Sequence, residues 1–279
     1  MDVFLNGQFV TEGHAVVSID DRGFMYGDGL FETMRVFNGK PFRMAQHLER
    51  MVRGADFLRI KLPFTPKELQ QFAAQLVEKN QMPDSVLRVT LTRGPGERGY
   101  TPKGAETPTM VMTLHPAPPL DPNSPPQWSL ITSAYRIPAS DPLSSFKTTN
   151  KLVSIMARTE AVEKGADEAL ITNTNGEVAE TAGANLFWVY NNKICTTPTG
   201  RGVLPGLTRA VVLEICQVLA LPTNKRVIKP EALKNAEGIF LTQSALGVVT
   251  IRSLNGEQVP QSPLVEKIHR AYCEMLAKE

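Results

Sequence analysis

The chain has 279 residues, 42% of them hydrophobic and 21% charged, which is enough for one large or two ordinary domains with buried cores. The 30 basic residues nearly balance the 28 acidic ones, so the net charge of +2 argues against a nucleic acid or membrane surface as a partner. No apolar run approaches the roughly 20 residues of a membrane span. The three cysteines are widely spaced, as suits reduced thiols, and the four histidines lack metal-ligand spacing. We expect a cytoplasmic protein without a metal site.

The first part of the chain predicts strands around a glycine-punctuated segment. The dipeptide Asn6-Gly7 favours a hairpin turn between two short strands. After residues 23–29, alternation places Thr33 and Arg35 on one face of a strand and Glu32 on the other. Thr33 and Arg35 could contact a ligand or simply face solvent.

A helical pattern over residues 44–55 places His47 and Arg50 on one face. Arginine matches a phosphate group because its planar guanidinium offers several donors and a fixed charge. Arg50 is therefore a candidate phosphate ligand. The alternative is a surface ion pair with Glu49 or Glu12.

A glycine-rich loop, residues 94–100, follows a predicted helix over 65–79 and a predicted strand over 85–93. Arg98 and Tyr100 stand at its tip, and loops of this kind often contact ligands. A further strand leads to a proline-rich stretch, which is typical of an extended linker. We expect an N-terminal domain of residues 1–115, a linker of residues 116–127 and a C-terminal domain of residues 128–279.

Lys147 lies between a proline- and serine-rich approach and an apolar helical pattern that starts near Leu152. This pattern predicts a helix start just after Lys147, with Thr149 or Asn150 as the N-cap and Lys151 inside the helix. A lysine near the positive end of a helix loses its proton more easily, and its neutral amine can form a Schiff base. The stretch alone fits a solvated lysine in a loop better, because most lysines are exposed, and only the other motifs overturn that interpretation.

Three further segments could contact an anionic or charged ligand. Glu180 ends a predicted hairpin beside small residues, where a second molecule could approach its carboxylate or solvent could surround it. Gly206-Leu207-Thr208 leads into a helix, whose first backbone N–H groups would form an anion site. The strand over 239–243 breaks at Ser244, which suggests a second phosphate-binding turn. Residues 262–278 predict an amphipathic closing helix.

These motifs, taken in order, resemble those of the class IV pyridoxal-phosphate aminotransferases, the family of branched-chain aminotransferase, D-amino-acid aminotransferase and aminodeoxychorismate lyase. The resemblance covers nearly the whole chain and rests on residues 27–33, 47–50, Lys147 with Asn150, 180–187 and 204–209. It implies an α/β (α+β) fold of the two-domain fold-type IV kind, with a small N-terminal α/β domain and a larger C-terminal domain that contains a β-barrel-like sheet. It also implies pyridoxal 5'-phosphate as cofactor and a homodimer.

The resemblance assigns roles to the candidate residues. Lys147 would bind the cofactor covalently and later move protons. Glu180 would face the pyridine nitrogen and keep it protonated. The phosphate ligands would be Arg50, the N–H groups of Leu207 and Thr208, and the Ser244 hydroxyl. The substrate would be contacted by Tyr26, Thr33, Arg35, Arg98, Tyr100 and Lys151.

Two reactions that use this cofactor fit the sequence. Residues 93–100, Thr33 after Glu32, and Lys151 after Asn150 resemble aminodeoxychorismate lyase, which releases p-aminobenzoate and pyruvate in folate biosynthesis. We expect this lyase first. The alternative is an aminotransferase acting between a branched-chain or D-amino acid and a 2-keto acid, because residues 204–209 are close to the branched-chain form. A non-catalytic protein that binds pyridoxal phosphate is a remote alternative, since Lys147 and Glu180 together point to catalysis.

Overall fold

The computed structural model describes residues 1–279, which divide into two compact units. The N-terminal unit comprises residues 1–118, 146–150 and 279, and the C-terminal unit comprises residues 119–145 and 151–278. The segment around Lys147 thus belongs to the N-terminal unit, although it follows the proline-rich stretch in sequence. The division at residues 115 and 128 remains our proposal for the domains.

The N-terminal unit contains a six-stranded antiparallel sheet in the order β2-β1-β6-β5-β3-β4, with two long helices. Its elements are β1 (Asp2–Leu5), β2 (Gln8–Thr11), α1 (Arg22–Tyr26), β3 (Gly29–Phe37), β4 (Lys40–Pro41), α2 (Met44–Leu58), α3 (Pro66–Asn80), β5 (Ser85–Thr92) and β6 (Thr109–Pro116).

Local sequence accounts for the ends of several of these elements. Asn6 and Gly7 both have positive φ, 48° and 94°, as the predicted two-residue turn between β1 and β2 requires. Thr65 caps α3 through a capping box with Glu68, and Pro66 occupies the first turn. The apolar sides of α2 and α3 pack on the sheet in one core that includes Phe4, Met34 and Leu87.

The C-terminal unit contains a mixed nine-stranded sheet in the order β12-β11-β10-β13-β14-β7-β8-β9, with β15 paired to β14. Its elements are β7 (Gln127–Ile137), α4 (Leu152–Glu163), β8 (Glu168–Asn173), β9 (Val178–Thr181), β10 (Asn185–Tyr190), β11 (Lys193–Thr196), α5 (Leu207–Val218), β12 (Thr223–Lys225), β13 (Gly238–Gln243), β14 (Gly247–Leu254), β15 (Glu257–Gln258) and α6 (Pro263–Lys278).

The predicted N-cap of α4 was wrong by one or two residues. The helix begins at Leu152, and its N-cap is Lys151, which makes no side-chain capping hydrogen bond. Neither Thr149 nor Asn150 caps the helix. Both belong to the segment 146–150 of the N-terminal unit, which pairs with β3. Lys151 therefore stands at the helix boundary and not inside the helix.

No helix of the chain combines the length and the apolar character that crossing a membrane would need.

Candidate active site

Lys147 is held by a short antiparallel pairing with β3. The Phe31 N–H donates to the Lys147 carbonyl at 2.9 Å, and the Thr149 N–H donates to the Gly29 carbonyl at 3.0 Å. The Thr149 hydroxyl donates to the carbonyl of Gly27, which has a positive φ of 66°. Two backbone hydrogen bonds and one side-chain hydrogen bond thus fix the main chain on both sides of Lys147. Sequence reasoning predicted a helix start there, whereas β3 is what positions the lysine.

The Lys147 amine lies over an aromatic ring. Its Nζ is 4.5 Å from the centre of the Phe31 ring, and the Arg88 guanidinium is 3.9 Å from the same centre. Arg88 is directly opposite Thr33 in the β3–β5 ladder, so the two side chains share a sheet face. Sequence reasoning missed Arg88. The alternating pattern of β5 was the available signal, because it puts Arg88 on the same sheet face as Thr33 once β5 is paired with β3.

Glu32, His47 and Arg50 form a buried polar cluster between β3 and α2. Arg50 donates from Nε to Glu32 Oε1 at 2.8 Å and from Nη2 to Oε2 at 2.7 Å, and His47 Nδ1 lies 2.6 Å from Oε2. None of the three residues is more than 4% exposed. The partner of Arg50 is therefore Glu32, and not Glu49 or Glu12 as the surface alternative had it. A glutamate on the buried face of β3 needs a cationic partner. The pairing of Glu32 with Arg50 could have been predicted for that reason.

The charges in this cluster set its protonation. Burial raises the pKa of the Glu32 carboxyl, but the hydrogen bonds from Arg50 and His47 outweigh burial and hold this pKa below its usual value. Burial lowers the pKa of His47 more than the bond to Glu32 raises it, and the charges of Arg50 and Lys147 lower it further. Near pH 7, His47 is thus neutral and donates its Nδ1–H to an ionised Glu32. The cluster carries one positive and one negative charge.

The protonation of His47 gives the first testable prediction. Its folded-state pKa lies below the unfolded value of about 6.5, so the unfolded chain takes up the proton first as the pH falls. The contribution of neutral His47 to the unfolding free energy is complete above pH 6.5. It is lost below pH 6.5, at up to about 1.4 kcal/mol per pH unit. We expect His47→Asn to flatten the dependence of the unfolding free energy on pH between 7.5 and 5.5, measured by urea denaturation. His14→Asn, a change at an exposed histidine, is the control, and equal slopes in both variants would contradict the prediction.

The candidate substrate residues of the N-terminal unit fall into two groups. Tyr26 and Tyr100 are neighbours with ring centres 5.7 Å apart, and Arg98 is exposed in the same glycine-rich loop. Thr33 is half-buried on β3, whereas Arg35 is buried and donates from Nη1 to the Pro118 carbonyl at 2.7 Å. Arg35 thus has a structural partner, and its substrate role stays a prediction.

Glu180 belongs to a hydrogen-bond network at the ends of β9 and β10. Its Oε2 accepts from Asn185 Nδ2 and from the Leu204 N–H, both at 3.0 Å. Asn185 Nδ2 also donates to the Leu204 carbonyl at 2.9 Å. A Cβ on Gly206 would stand 2.0 Å from Asn185 Oδ1, so any side chain there would displace the Asn185 amide. Asn185 therefore links Glu180 to the start of α5, a role that sequence reasoning did not predict.

The start of α5 suits an anion. Gly206 is its N-cap and supplies no side-chain hydrogen bond, so the first N–H groups, including those of Leu207 and Thr208, have no partner within the helix. Thr242 is directly opposite Asn185 in the β10–β13 ladder, and its hydroxyl is buried without a hydrogen-bond partner. Ser244 follows in the turn between β13 and β14. Glu180, Asn185, the uncapped helix and Thr242 together fit a ligand that bears both a phosphate and a basic nitrogen.

The comparisons with known proteins identify the family. Residues 29–254 match the amino-transferase class IV family, and the chain therefore belongs to that family. It is 31% identical over 259 residues to a protein of Methanocaldococcus jannaschii provisionally assigned as a branched-chain-amino-acid aminotransferase, which covers 93% of this chain and 90% of that protein. It is 28% identical over 285 residues to the D-alanine aminotransferase of Bacillus licheniformis, which covers 100% of this chain and 98% of that enzyme.

Two solved structures are similar over nearly the whole fold. The branched-chain aminotransferase of Thermoproteus uzoniensis, crystallised with norvaline, has a TM-score of 0.93 at 28% identity and covers 100% of this chain and 96% of its own. A Legionella pneumophila protein provisionally assigned as 4-amino-4-deoxychorismate lyase has a TM-score of 0.86 at 29% identity and covers 96% of both chains. The predicted fold class, mixed α/β with a barrel-like sheet in the larger unit, is confirmed.

The chain is thus an enzyme that uses pyridoxal 5'-phosphate, and its reaction is that of a transaminase or a lyase. The cofactor prediction is confirmed. The relatives favour the aminotransferase alternative over the lyase that we placed first from the sequence, because aminotransferases dominate among them.

Proposed function

We propose that this protein is an aminotransferase that moves an amino group from an aliphatic amino acid to a 2-keto acid. The observation that carries the proposal is the similarity along almost the entire chain to relatives named for branched-chain amino acids and for D-alanine. Both substrate classes have small or medium apolar side chains. The ring of Phe31, half-buried beside Lys147, offers an apolar surface for such a side chain.

In this proposal Lys147 transfers the protons. Pyridoxal phosphate, when bound, supplies an electron-withdrawing ring that stabilises negative charge on the substrate carbon. Lys147 Nζ would bind the cofactor covalently at rest and, as a free amine, would accept the proton of the substrate α-carbon and later return it. The pairing with β3 holds the main chain of Lys147 in one position, and the Phe31 ring lies beside the amine. Positioning of this kind makes a proton transfer effectively intramolecular.

The other polar groups bind and orient. Glu180, itself fixed by the amide of Asn185 and the Leu204 N–H, would hold a proton on the pyridine nitrogen. The N–H groups at the start of α5, the Ser244 hydroxyl and Arg50 would bind the phosphate. Glu32 fixes the plane of the Arg50 guanidinium by its two-pronged hydrogen bond. Arg98, Lys151 and Arg88 are the candidate cations for a substrate carboxylate.

Aminodeoxychorismate lyase is the second candidate. It is supported by the likeness to the Legionella protein and by the sequence features of residues 93–100 and Lys151. Both reactions begin with removal of a proton beside the amine, so Lys147 would serve either. They differ in the substrate groups that are contacted and in the products.

A single-turnover experiment separates the two candidates. Purified holoenzyme is mixed in separate reactions with L-leucine, D-alanine and aminodeoxychorismate. We expect the yellow absorbance to fall with L-leucine or D-alanine while one equivalent of the matching 2-keto acid is released. Appearance of p-aminobenzoate and pyruvate with retained colour would instead establish the lyase, and release of no product from any of the three would overturn both candidates.

The homodimer implied by the family is likewise a proposal. It is supported by the apolar side chains that α4 exposes, among them Leu152, Ile155 and Val162, each at least 58% exposed. A second copy of the chain would remove such a surface from water.

A further inference from the structure

Arg22, at the start of α1, makes an unusual set of contacts with the glycine-rich loop. Its Nη1 donates to the carbonyls of Gly99 at 2.8 Å and Thr101 at 3.1 Å, and its Nη2 donates to the carbonyl of Tyr100 at 3.3 Å. Three successive carbonyls therefore face one guanidinium. Arg22 is only 3% exposed, so these hydrogen bonds form away from bulk water, where they are strong.

The same guanidinium organises two tyrosines. It lies 5.0 Å from the ring centre of Tyr26, and the Tyr26 hydroxyl accepts a hydrogen bond from the Gly99 N–H at 2.9 Å. With its carbonyl turned toward Arg22, Tyr100 presents its side chain outward, at 89% exposed, with its ring beside that of Tyr26. The loop is thus held firmly through its main chain while its aromatic side chain stays available to a ligand.

The beginning of the loop is also tied to the segment before α1. The Arg22 N–H donates to the Gly94 carbonyl at 2.9 Å, and the Gly96 N–H donates to the Asp20 carbonyl at 3.2 Å. A Cβ on Gly94 would stand 1.8 Å from the Thr107 carbonyl oxygen, and Gly94 has a positive φ of 85°. Glycine is needed there, and the loop has little freedom at this end.

The charge of Arg22 is balanced without the loop. Asp28 accepts from Arg22 Nε at 3.0 Å and also from Arg93 Nε at 2.7 Å and Nη2 at 3.1 Å. Because Arg93 keeps Asp28 paired, loss of Arg22 leaves no buried charge alone. The three carbonyl bonds are therefore additional to the charge pairing of this region.

From this geometry we infer that Arg22 is a positioning residue for substrate selection: it holds the glycine-rich loop so that Tyr100 and Tyr26 present one fixed aromatic surface to the side chain of the amino donor. The inference rests on the proposed function and on the substrate contacts that the family resemblance implies for Tyr26 and Tyr100. Arg22 itself touches neither the reacting atoms nor the cofactor in this assignment. Its effect is on binding of the donor.

The test compares Arg22→Lys and Arg22→Ala with the parent holoenzyme. Lysine keeps a positive charge beside Asp28, but its ammonium has three N–H donors on one nitrogen, so it cannot make all four hydrogen bonds that Arg22 makes to Asp28 and the three carbonyls. Arg53→Lys is the matched control, because Arg53 is exposed and pairs with Glu49 on the surface of α2. Two quantities are measured: the kinetics of transamination with L-leucine or D-alanine, whichever reacts faster, and the rate of trypsin cleavage after Arg98 in the loop.

For both Arg22 variants we expect the KM of the amino donor to rise about tenfold, with kcat within about twofold of the parent and with unchanged affinity for the cofactor. Cleavage after Arg98 should be faster than in the parent and in Arg53→Lys, because the loop opens more often. An unchanged KM together with unchanged cleavage would overturn the inference. So would an equal loss in kcat and cofactor affinity, which indicates a structural role.

The two failures can be told apart. If the parent enzyme releases no keto acid from either donor, the proposed function fails. In that case faster cleavage in Arg22→Lys still supports the conclusion that Arg22 holds the loop. Unchanged cleavage overturns that conclusion. If Arg22→Ala does not fold, Arg22→Lys decides the outcome by the same two measurements.

Discussion

Replacing Lys147 by alanine is expected to lower kcat for transamination by about 10⁴-fold, the upper range for loss of a positioned acid–base group. The same variant should lose the covalent attachment of pyridoxal phosphate, because it removes the amine that is proposed to form the bond. The measurement is the visible absorbance of the holoenzyme, followed by borohydride reduction and peptide mass analysis. In the parent enzyme, the added mass should fall on the peptide that contains Lys147.

Lys164→Ala is the control for this experiment, since Lys164 is exposed and pairs with Glu160 on the surface of α4. We expect it to keep the colour and the labelled peptide. If Lys147→Ala retained the absorbance, or if the label of the parent fell on another lysine, Lys147 would not be the residue that binds the cofactor.

Replacing Glu32 by alanine should have the largest effect on stability. The change leaves the buried Arg50 charge without its carboxylate, and breaking a buried pair in this way costs about 3–5 kcal/mol of unfolding free energy. It also removes the two hydrogen bonds that orient the guanidinium. We therefore expect weaker binding of pyridoxal phosphate, with little change for pyridoxal, which lacks the phosphate that Arg50 would contact.

Urea denaturation of the apoprotein measures the first effect, and titration with pyridoxal phosphate and with pyridoxal measures the second. Glu49→Ala is the matched control on α2, because Glu49 forms an exposed pair with Arg53 that contributes about 1 kcal/mol or less. A loss below about 1 kcal/mol in Glu32→Ala would show that the cluster contributes little to stability. An equal loss of affinity for both cofactor forms would show that Arg50 does not contact the phosphate.

Local sequence predicted most elements well, because their ends and faces depend on residues that are close in the chain. The turn at Asn6-Gly7, the capping box at Thr65 and the alternation along β3 depend on neighbouring residues, which the sequence displays directly. The hairpin of β8 and β9 and the closing helix α6 were predicted on the same grounds. The N-cap of α4 was misplaced because Thr149 hydrogen-bonds to β3, more than 100 residues earlier in the chain.

The sequence by itself determined the candidate residues and, through the order of its motifs, the family and the cofactor. These depend on residue types and short spacings. The family and the cofactor were confirmed, and the roles of the candidate residues stay predictions. Only the tertiary structure decided that Glu32 pairs with Arg50, that Asn185 links Glu180 to α5, and that Arg22 holds the glycine-rich loop. These contacts join residues from different elements, and a hydrogen bond depends on distance and angle in space, which no spacing along the chain specifies.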